Sequence, residues 1–161
     1  LAIHCPELVR GLFLANTTSR YPEAAAAAWS QRIAAVESQG MASVADMVVQ
    51  RYLHEGFRQS QVSYTEELRG QIQRANPLGY VAACHAVRQV NWWDRLPQVR
   101  CPTHVLAGAL DVGATPAMAQ EMVDAIEGAE LSVLPQASHL SVAECPEEFD
   151  QAVQVWLKRL R

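Results

Sequence analysis

Three short apolar runs, each flanked by turn residues, interrupt a chain that elsewhere repeats its apolar positions at three- and four-residue spacing. The first run is residues 9–15, closed by the polar stretch Asn16-Thr-Thr-Ser19. The second is residues 103–108, introduced by Cys101-Pro102, and the third is residues 130–134, between Gly128 and Pro135. Consecutive apolar positions suit strands covered on both faces, as in parallel sheets, so all three runs are predicted as buried strands. Buried helix is the competing reading of each, because periodicity does not separate the two over so few residues.

Between the runs the pattern is helical. Residues 22–38 are rich in alanine, and Pro22 suits a first helical turn. Residues 43–52 and 63–75 carry apolar side chains on one helical face, and Pro77 opens a further helix to about residue 90. Pro116 starts a helix that runs to Ile126, and Pro146 starts the last one. In that last helix Phe149, Val153, Trp156, Leu157 and Leu160 are expected to form one apolar stripe. Lys158, Arg159 and Arg161 then fall at the negative end of its dipole. Leu1-Ala-Ile-His-Cys-Pro6 reads as the tail of a helix and lacks the charged lead and apolar core of a signal peptide. The order is a strand, a long helical block, then β-α-β-α. That predicts an α/β fold with residues 1–19 and 91–161 as a three-stranded parallel core with flanking helices. Residues 20–90 become a helical insertion, and insertions over the carboxyl ends of strands commonly form lids.

Composition narrows the function classes. The 161 residues carry a net charge of −4, which provides no basic footprint for nucleic acid or anionic lipid. No apolar run reaches the roughly 20 residues of a bilayer span. The four cysteines are scattered without a C-x-x-C pair, and the five histidines are dispersed, so no metal-ligand spacing occurs. Reduced thiols in a cytoplasmic protein are expected.

Two strand-end loops carry the candidate chemistry. Asp111 follows the second run in Gly108-Ala-Leu-Asp-Val-Gly, and His139 follows the third in Gln136-Ala-Ser-His-Leu-Ser141. Both loops open on the carboxyl edge of the sheet, where open α/β folds bind ligands. Adjacent parallel strands lie about 5 Å apart, so the carboxylate and the imidazole can hydrogen-bond. An acid on one ring nitrogen fixes the tautomer and leaves the other nitrogen as general base. Alone, such an Asp is usually a turn or cap residue, and a lone loop histidine is usually solvated; on successive strand ends the pair reads as catalytic. The order Asp then His, late in the chain, fits the α/β-hydrolase order Ser…Asp…His. His104 lies inside a strand, His85 in a helix, His54 in the insertion and His4 near the terminus, so none shares this setting.

Asn16-Thr-Thr, Asn76-Pro-Leu-Gly-Tyr80, Cys84-His-Ala-Val-Arg88, Cys101-Pro-Thr and Ser138-His-Leu-Ser141 together resemble the 3-oxoadipate enol-lactonase family of α/β-hydrolases. The Asp and His loops are shared by many α/β-hydrolases; the segment from Gly79 to Arg88 carries the narrower resemblance. The resemblance implies a Ser-His-Asp hydrolase of an enol-lactone, with His139 as base and Asp111 as its partner. It places Leu1-Ala-Ile-His on the helix after a G-x-S-x-G elbow, so the nucleophile and oxyanion hole fall outside this chain. No G-x-S-x-G occurs among the 161 residues, and Ser138 and Ser141 merely flank the base.

The implied chemistry needs no cofactor and no metal. Its substrate bears a free carboxylate, so a cation in the insertion is expected to bind it, with Arg51 and Arg88 as candidates. Arg51 stands where the family shows Arg-Trp-Phe, but Tyr52 and Leu53 follow it here. Both arginines also suit a solvated helix face. Tyr52 joins Arg51 as a substrate-contact candidate. Trp92 and Trp93 suit either a pocket wall or packing, and Tyr80 is equally ambiguous. The expected partner is a small ester or lactone. The alternatives are another small-ester hydrolase, or an inactive piece that docks onto a separate N-terminal half or a second copy through an unpaired strand edge.

Overall fold

The computed structural model describes residues 1–160; Arg161, expected at the last helix's end, lies outside them. The chain divides into two compact units, one built from Leu1–Ser19 and the segment from Trp92 onward, the other from Arg20–Asn91.

The first unit is a parallel sheet of three strands in the order β1 (Leu12–Ala15), β2 (Thr103–Gly108) and β3 (Glu130–Leu134). The expected α/β class holds. The central strand β2 is buried at every position, because it has a neighbour on both edges and packing on both faces. Its alternate side chains enter two cores. Val105 and Ala107 join Leu96, Val99, Met122 and Ile126, whereas Leu106 joins Leu134, Ala137 and Cys145.

The outer strands depart from the expectation of full burial. β1 is half-buried throughout, and in β3 Glu130 is exposed while Val133 keeps 42% of its surface. Each pairs with β2 alone among the described residues, so each has one covered edge. The first strand also starts at Leu12 rather than at residue 9, because Pro6–Leu8 forms a 3-10 turn ahead of it.

Helix α6 (Pro116–Ala125) follows β2, with the Thr115 hydroxyl accepting from the Met118 amide at 3.4 Å as N-cap. The last helix, α8 (Pro146–Lys158), turns Phe149, Ala152, Val153 and Trp156 inward, Leu160 just past its end is also half-buried, and Phe149 and Trp156 pack around Phe13 of β1. Leu157 leaves the expected stripe and is 47% exposed. It sits about 100° round the helix from Trp156, on the flank of the buried face. A single turn, α7 (Ser141–Glu144), was not expected and lies just after the His139 loop; four residues are too few to show helical periodicity.

Buried His104 in β2 stacks on Phe13 at 5.3 Å, and its Nε2 lies 2.9 Å from the Ser132 hydroxyl. Burial pushes its pKa below 6.5; Glu130 opposes the shift and Arg159 reinforces it. A depressed histidine is neutral in the fold but binds a proton when unfolded. Its contribution is therefore complete above pH 6.5 and declines as pH falls toward the folded value. His104→Gln, which keeps a polar partner for Ser132, should flatten the fall in stability as pH drops below about 6.5, read by denaturant unfolding.

The second unit is all helix: α1 (Ala25–Gln39), α2 (Ala42–Tyr52), α3 (Glu55–Ser60), α4 (Val62–Arg74) and α5 (Pro77–Arg88). Val36, Met41, Val44 and Val48 form its core, with Tyr52, Ile72, Tyr80 and Val81 packed around them. Helix α1 begins three residues later than expected, because Pro22 and Glu23 form a turn closed by the Ala25 amide on the Pro22 carbonyl at 2.9 Å. The short α3 was not foreseen; its His54 Nδ1 accepts from the Phe57 amide at 3.3 Å. No helix among the described residues is long and apolar enough to cross a membrane. Cys5, Cys84, Cys101 and Cys145 are free thiols.

Candidate active site

Parallel pairing sets the ends of β1, β2 and β3 on one edge, and the chain leaves each strand there in a polar loop. The two loops after β2 and β3 are bound to each other by main chain. The Ala109 amide donates to the Leu134 carbonyl and the Leu110 amide to the Ala137 carbonyl, both at 2.9 Å. This close crossing depends on Gly108. A Cβ there would stand 2.2 Å from the Ser138 carbonyl oxygen and 2.5 Å from that of Ala137.

The crossing brings Asp111 and His139 together. His139 Nδ1 and Asp111 Oδ2 are 2.8 Å apart. The other carboxylate oxygen, Oδ1, accepts from the Gly113 amide at 2.7 Å and the Ala114 amide at 3.0 Å, so both ends of the carboxylate are held. The Asp111 side chain is fully buried, whereas that of His139 keeps 26% of its surface. Burial raises the Asp111 pKa, but the hydrogen bonds from His139, Ala114 and Gly113 outweigh it and hold the carboxyl below 3.8. An ionised carboxylate can only accept, so Nδ1 carries the proton and Nε2 presents the lone pair of a base.

A second set of contacts surrounds the pair. Asn16, the first residue past β1, has a left-handed backbone with φ 47°. Its Nδ2 donates to the Ser138 carbonyl at 2.9 Å and lies 3.4 Å from Asp111 Oδ2, and its Oδ1 accepts from the Ser141 hydroxyl. The Ser138 amide donates to Glu144 Oε2 at 2.6 Å, and the Ser138 hydroxyl donates to the Leu110 carbonyl at 3.3 Å. Ser138 and Ser141 are 2% and 1% exposed, so both hydroxyls are buried and engaged away from the imidazole. Sequence reasoning passed over Asn16, Ser141 and Glu144 as site residues. For Asn16 the available signals were its place immediately after an apolar strand and its membership in the Asn16-Thr-Thr segment; for Ser141 it was the Ser138-His-Leu-Ser141 segment.

The remaining expected site residues are carried by other elements. Arg51 and Tyr52 end α2 in the helical unit, with Tyr52 packed against that unit's core. Arg88 ends α5 and is exposed, with Nη1 donating to the Ser30 hydroxyl of α1 at 3.0 Å. Trp92 belongs to the first unit, where it lines an apolar cavity of about 270 Å³ with Ile3, Leu12, Leu14, Leu96 and Met122. Asp111 and His139 do not line that cavity. Trp93 packs against the core beside Leu96. No group of three or more potential metal ligands occurs among the described residues.

No family model matches the chain. In sequence it is 33% identical over 159 residues to 3-oxoadipate enol-lactonase 2 of Acinetobacter baylyi, covering 99% of this chain and 58% of that relative. In structure it matches the enol-lactonase from Burkholderia xenovorans LB400 with TM-score 0.92 and 26% identity, covering 98% of this chain and 60% of the other. A thermophilic esterase from Thermogutta terrifontis matches with TM-score 0.88 and 28% identity, covering 99% and 59%. The chain thus spans about 58% of the length of the curated relative, on that protein's C-terminal part. It has the fold of the C-terminal part of an α/β-hydrolase and resembles 3-oxoadipate enol-lactonase in sequence.

Proposed function

We propose that this chain supplies the acid and base of a serine-type enol-lactone hydrolase whose nucleophile lies outside these 161 residues. The observation that carries the reading is the 2.8 Å contact between His139 Nδ1 and the buried Asp111 carboxylate. It stands on successive strand ends, where such a pair serves acyl transfer. The names of the relatives, enol-lactonase and esterase, support ester or lactone hydrolysis.

In the proposed reaction a serine hydroxyl attacks the lactone carbonyl while His139 Nε2 takes its proton. The imidazolium, stabilised by Asp111, returns that proton to the departing enol oxygen as the ring opens. Water, deprotonated by His139, then attacks the acyl-enzyme carbonyl, His139 returns that proton to the departing serine oxygen, and the released enol tautomerises to a ketone. Every step is proton transfer and acyl exchange, so neither metal nor cofactor is needed. The role belongs to cytoplasmic breakdown of aromatic compounds. With Ser138 and Ser141 buried and engaged, the chain alone should show negligible turnover until joined to the portion bearing the nucleophile.

Arg51, which stands where the family shows an arginine, is assigned to the substrate's free carboxylate. Arg51→Met in the complete protein should raise KM about tenfold with kcat little changed, the signature of lost ground-state binding. The competing reading is a general small-ester hydrolase. Comparing kcat/KM for an enol-lactone and for simple aryl esters decides between them, and a preference for the aryl ester rejects the lactonase assignment.

A further inference from the structure

We infer that Asn16 is a positioning residue whose side-chain amide clamps the Asp111 carboxylate and the His139 loop into one rigid unit. The inference rests on the reading of Asp111 and His139 as an acid–base pair, and it adds a third strand end to a device otherwise built from two.

Asn16 is the only non-glycine residue with positive φ among the described residues. Asparagine tolerates that conformation better than most side chains, and here it turns the side chain back across the strand ends. Three polar groups of the strand-end crossing converge on it. Its Nδ2 holds the Ser138 carbonyl at 2.9 Å, one residue before the base, and reaches toward Asp111 Oδ2 at 3.4 Å. That oxygen is the one His139 uses. The direction of the amide is set by the Ser141 hydroxyl, itself 1% exposed, which donates to Oδ1 and so turns Nδ2 toward the two acceptors. The base loop is thereby gripped through the two polar backbone groups of Ser138, the carbonyl by Asn16 and the amide by Glu144 Oε2. The backbone that carries His139 is thus fixed one residue before the base, and the ring itself is held by Asp111 through Nδ1.

A role limited to backbone shape makes a different prediction from a donor role. Glycine and aspartate both accept left-handed backbone, so a shape role tolerates either substitution. A donor role does not. Asn16→Gly removes the amide, and Asn16→Asp sets a third carboxylate oxygen against the Ser138 carbonyl and Asp111 Oδ2, leaving acceptors facing acceptors. The effect should therefore be graded, with aspartate worse than glycine.

The test is the imidazole ¹⁵N spectrum of His139 in the chain, recorded at alkaline pH, for wild type, Asn16→Gly, Asn16→Asp and Ser141→Ala. The wild type should hold the Nδ1–H tautomer. Asn16→Gly should accelerate exchange of the Nδ1 proton about tenfold, the scale of one ordinary hydrogen bond. Asn16→Asp should exceed it, and Ser141→Ala, which leaves Asn16 in place but unaimed, should give a smaller change of the same kind. If an Asn16 variant does not fold, the Ser141→Ala spectrum decides. Spectra of folded variants that match wild type, or that change while aspartate stays milder than glycine, overturn the inference. Because this readout requires no turnover, absent lactonase activity in the complete protein would count against the proposed function and leave the clamp standing.

Discussion

Asp111→Asn is expected to lower kcat for lactone hydrolysis about 10⁴-fold in the complete protein while leaving the fold intact. The size follows from which atoms are already committed. Oδ1 of Asp111 accepts from the amides of Gly113 and Ala114, at 2.7 and 3.0 Å. An asparagine must keep its own carbonyl oxygen in that position, because an NH₂ group there would face two donors. Its NH₂ then falls where Oδ2 now meets His139 Nδ1 at 2.8 Å. Nδ1 is forced to accept, so the ring proton moves to Nε2, and the nitrogen that should take the serine's proton already carries one. A steady-state assay over a range of pH checks this. Loss of less than about tenfold would mean that Asp111 does not set the tautomer.

The same substitution has a stability signature with a definite sign. The Asp111 carboxyl is held below 3.8 in the fold, so its contribution is present above that pH and is lost as pH falls through the lowered folded value. The asparagine variant should lack this part of the acid-induced destabilisation. It should be less stable than wild type at neutral pH, with the gap closing as pH drops below about 4.

Gly108→Ala should be the most destabilising single-methyl addition in the first unit. The added Cβ would lie 2.2 and 2.5 Å from two carbonyl oxygens, both main chain and both fixed by the loop crossing. Backbone cannot rotate away as a flexible side chain can, so the strand-end loops must separate. We expect a loss on the order of 3 kcal/mol, or roughly 10 °C in melting temperature. Separating the loops also parts Asp111 from His139. Gly40→Ala is the informative control: its φ of 75° strains an alanine, but nothing lies within 4 Å of a Cβ there. It should cost about 1 kcal/mol. Thermal melts of the two variants test the contrast, and equal shifts would show that the crossing is not the constraint.

The parts of this site that follow strand order were legible in the sequence. Residues 103–108 and 130–134 appear as strands with the bounds given by their apolar runs, and the loops after them hold Asp111 and His139. What was not legible is what depends on side-chain direction. Asn16 looked like the start of a polar turn, and only the backbone sign at that residue, with the register of β1 on β2, aims its amide at the neighbouring loops. Glu144 sits in a one-turn helix with no periodic signature. Leu157 shows the same limit on a larger scale, since counting fours from Phe149 and Val153 includes it, while the packed face follows Trp156 and Leu160 instead. Full burial of β1 and β3 was over-read from their apolar content, because hydrophobicity reports a strand's faces and not how many of its edges are paired.

Hydrolysis of an enol-lactone by the complete protein, compared between wild type and His139→Ala, tests the central claim most directly. The acid–base reading predicts turnover by wild type and a loss of at least about 10⁴-fold in the variant, with the helical content of both unchanged. A folded His139→Ala protein that still opens the lactone within a few-fold of the wild-type rate would contradict it.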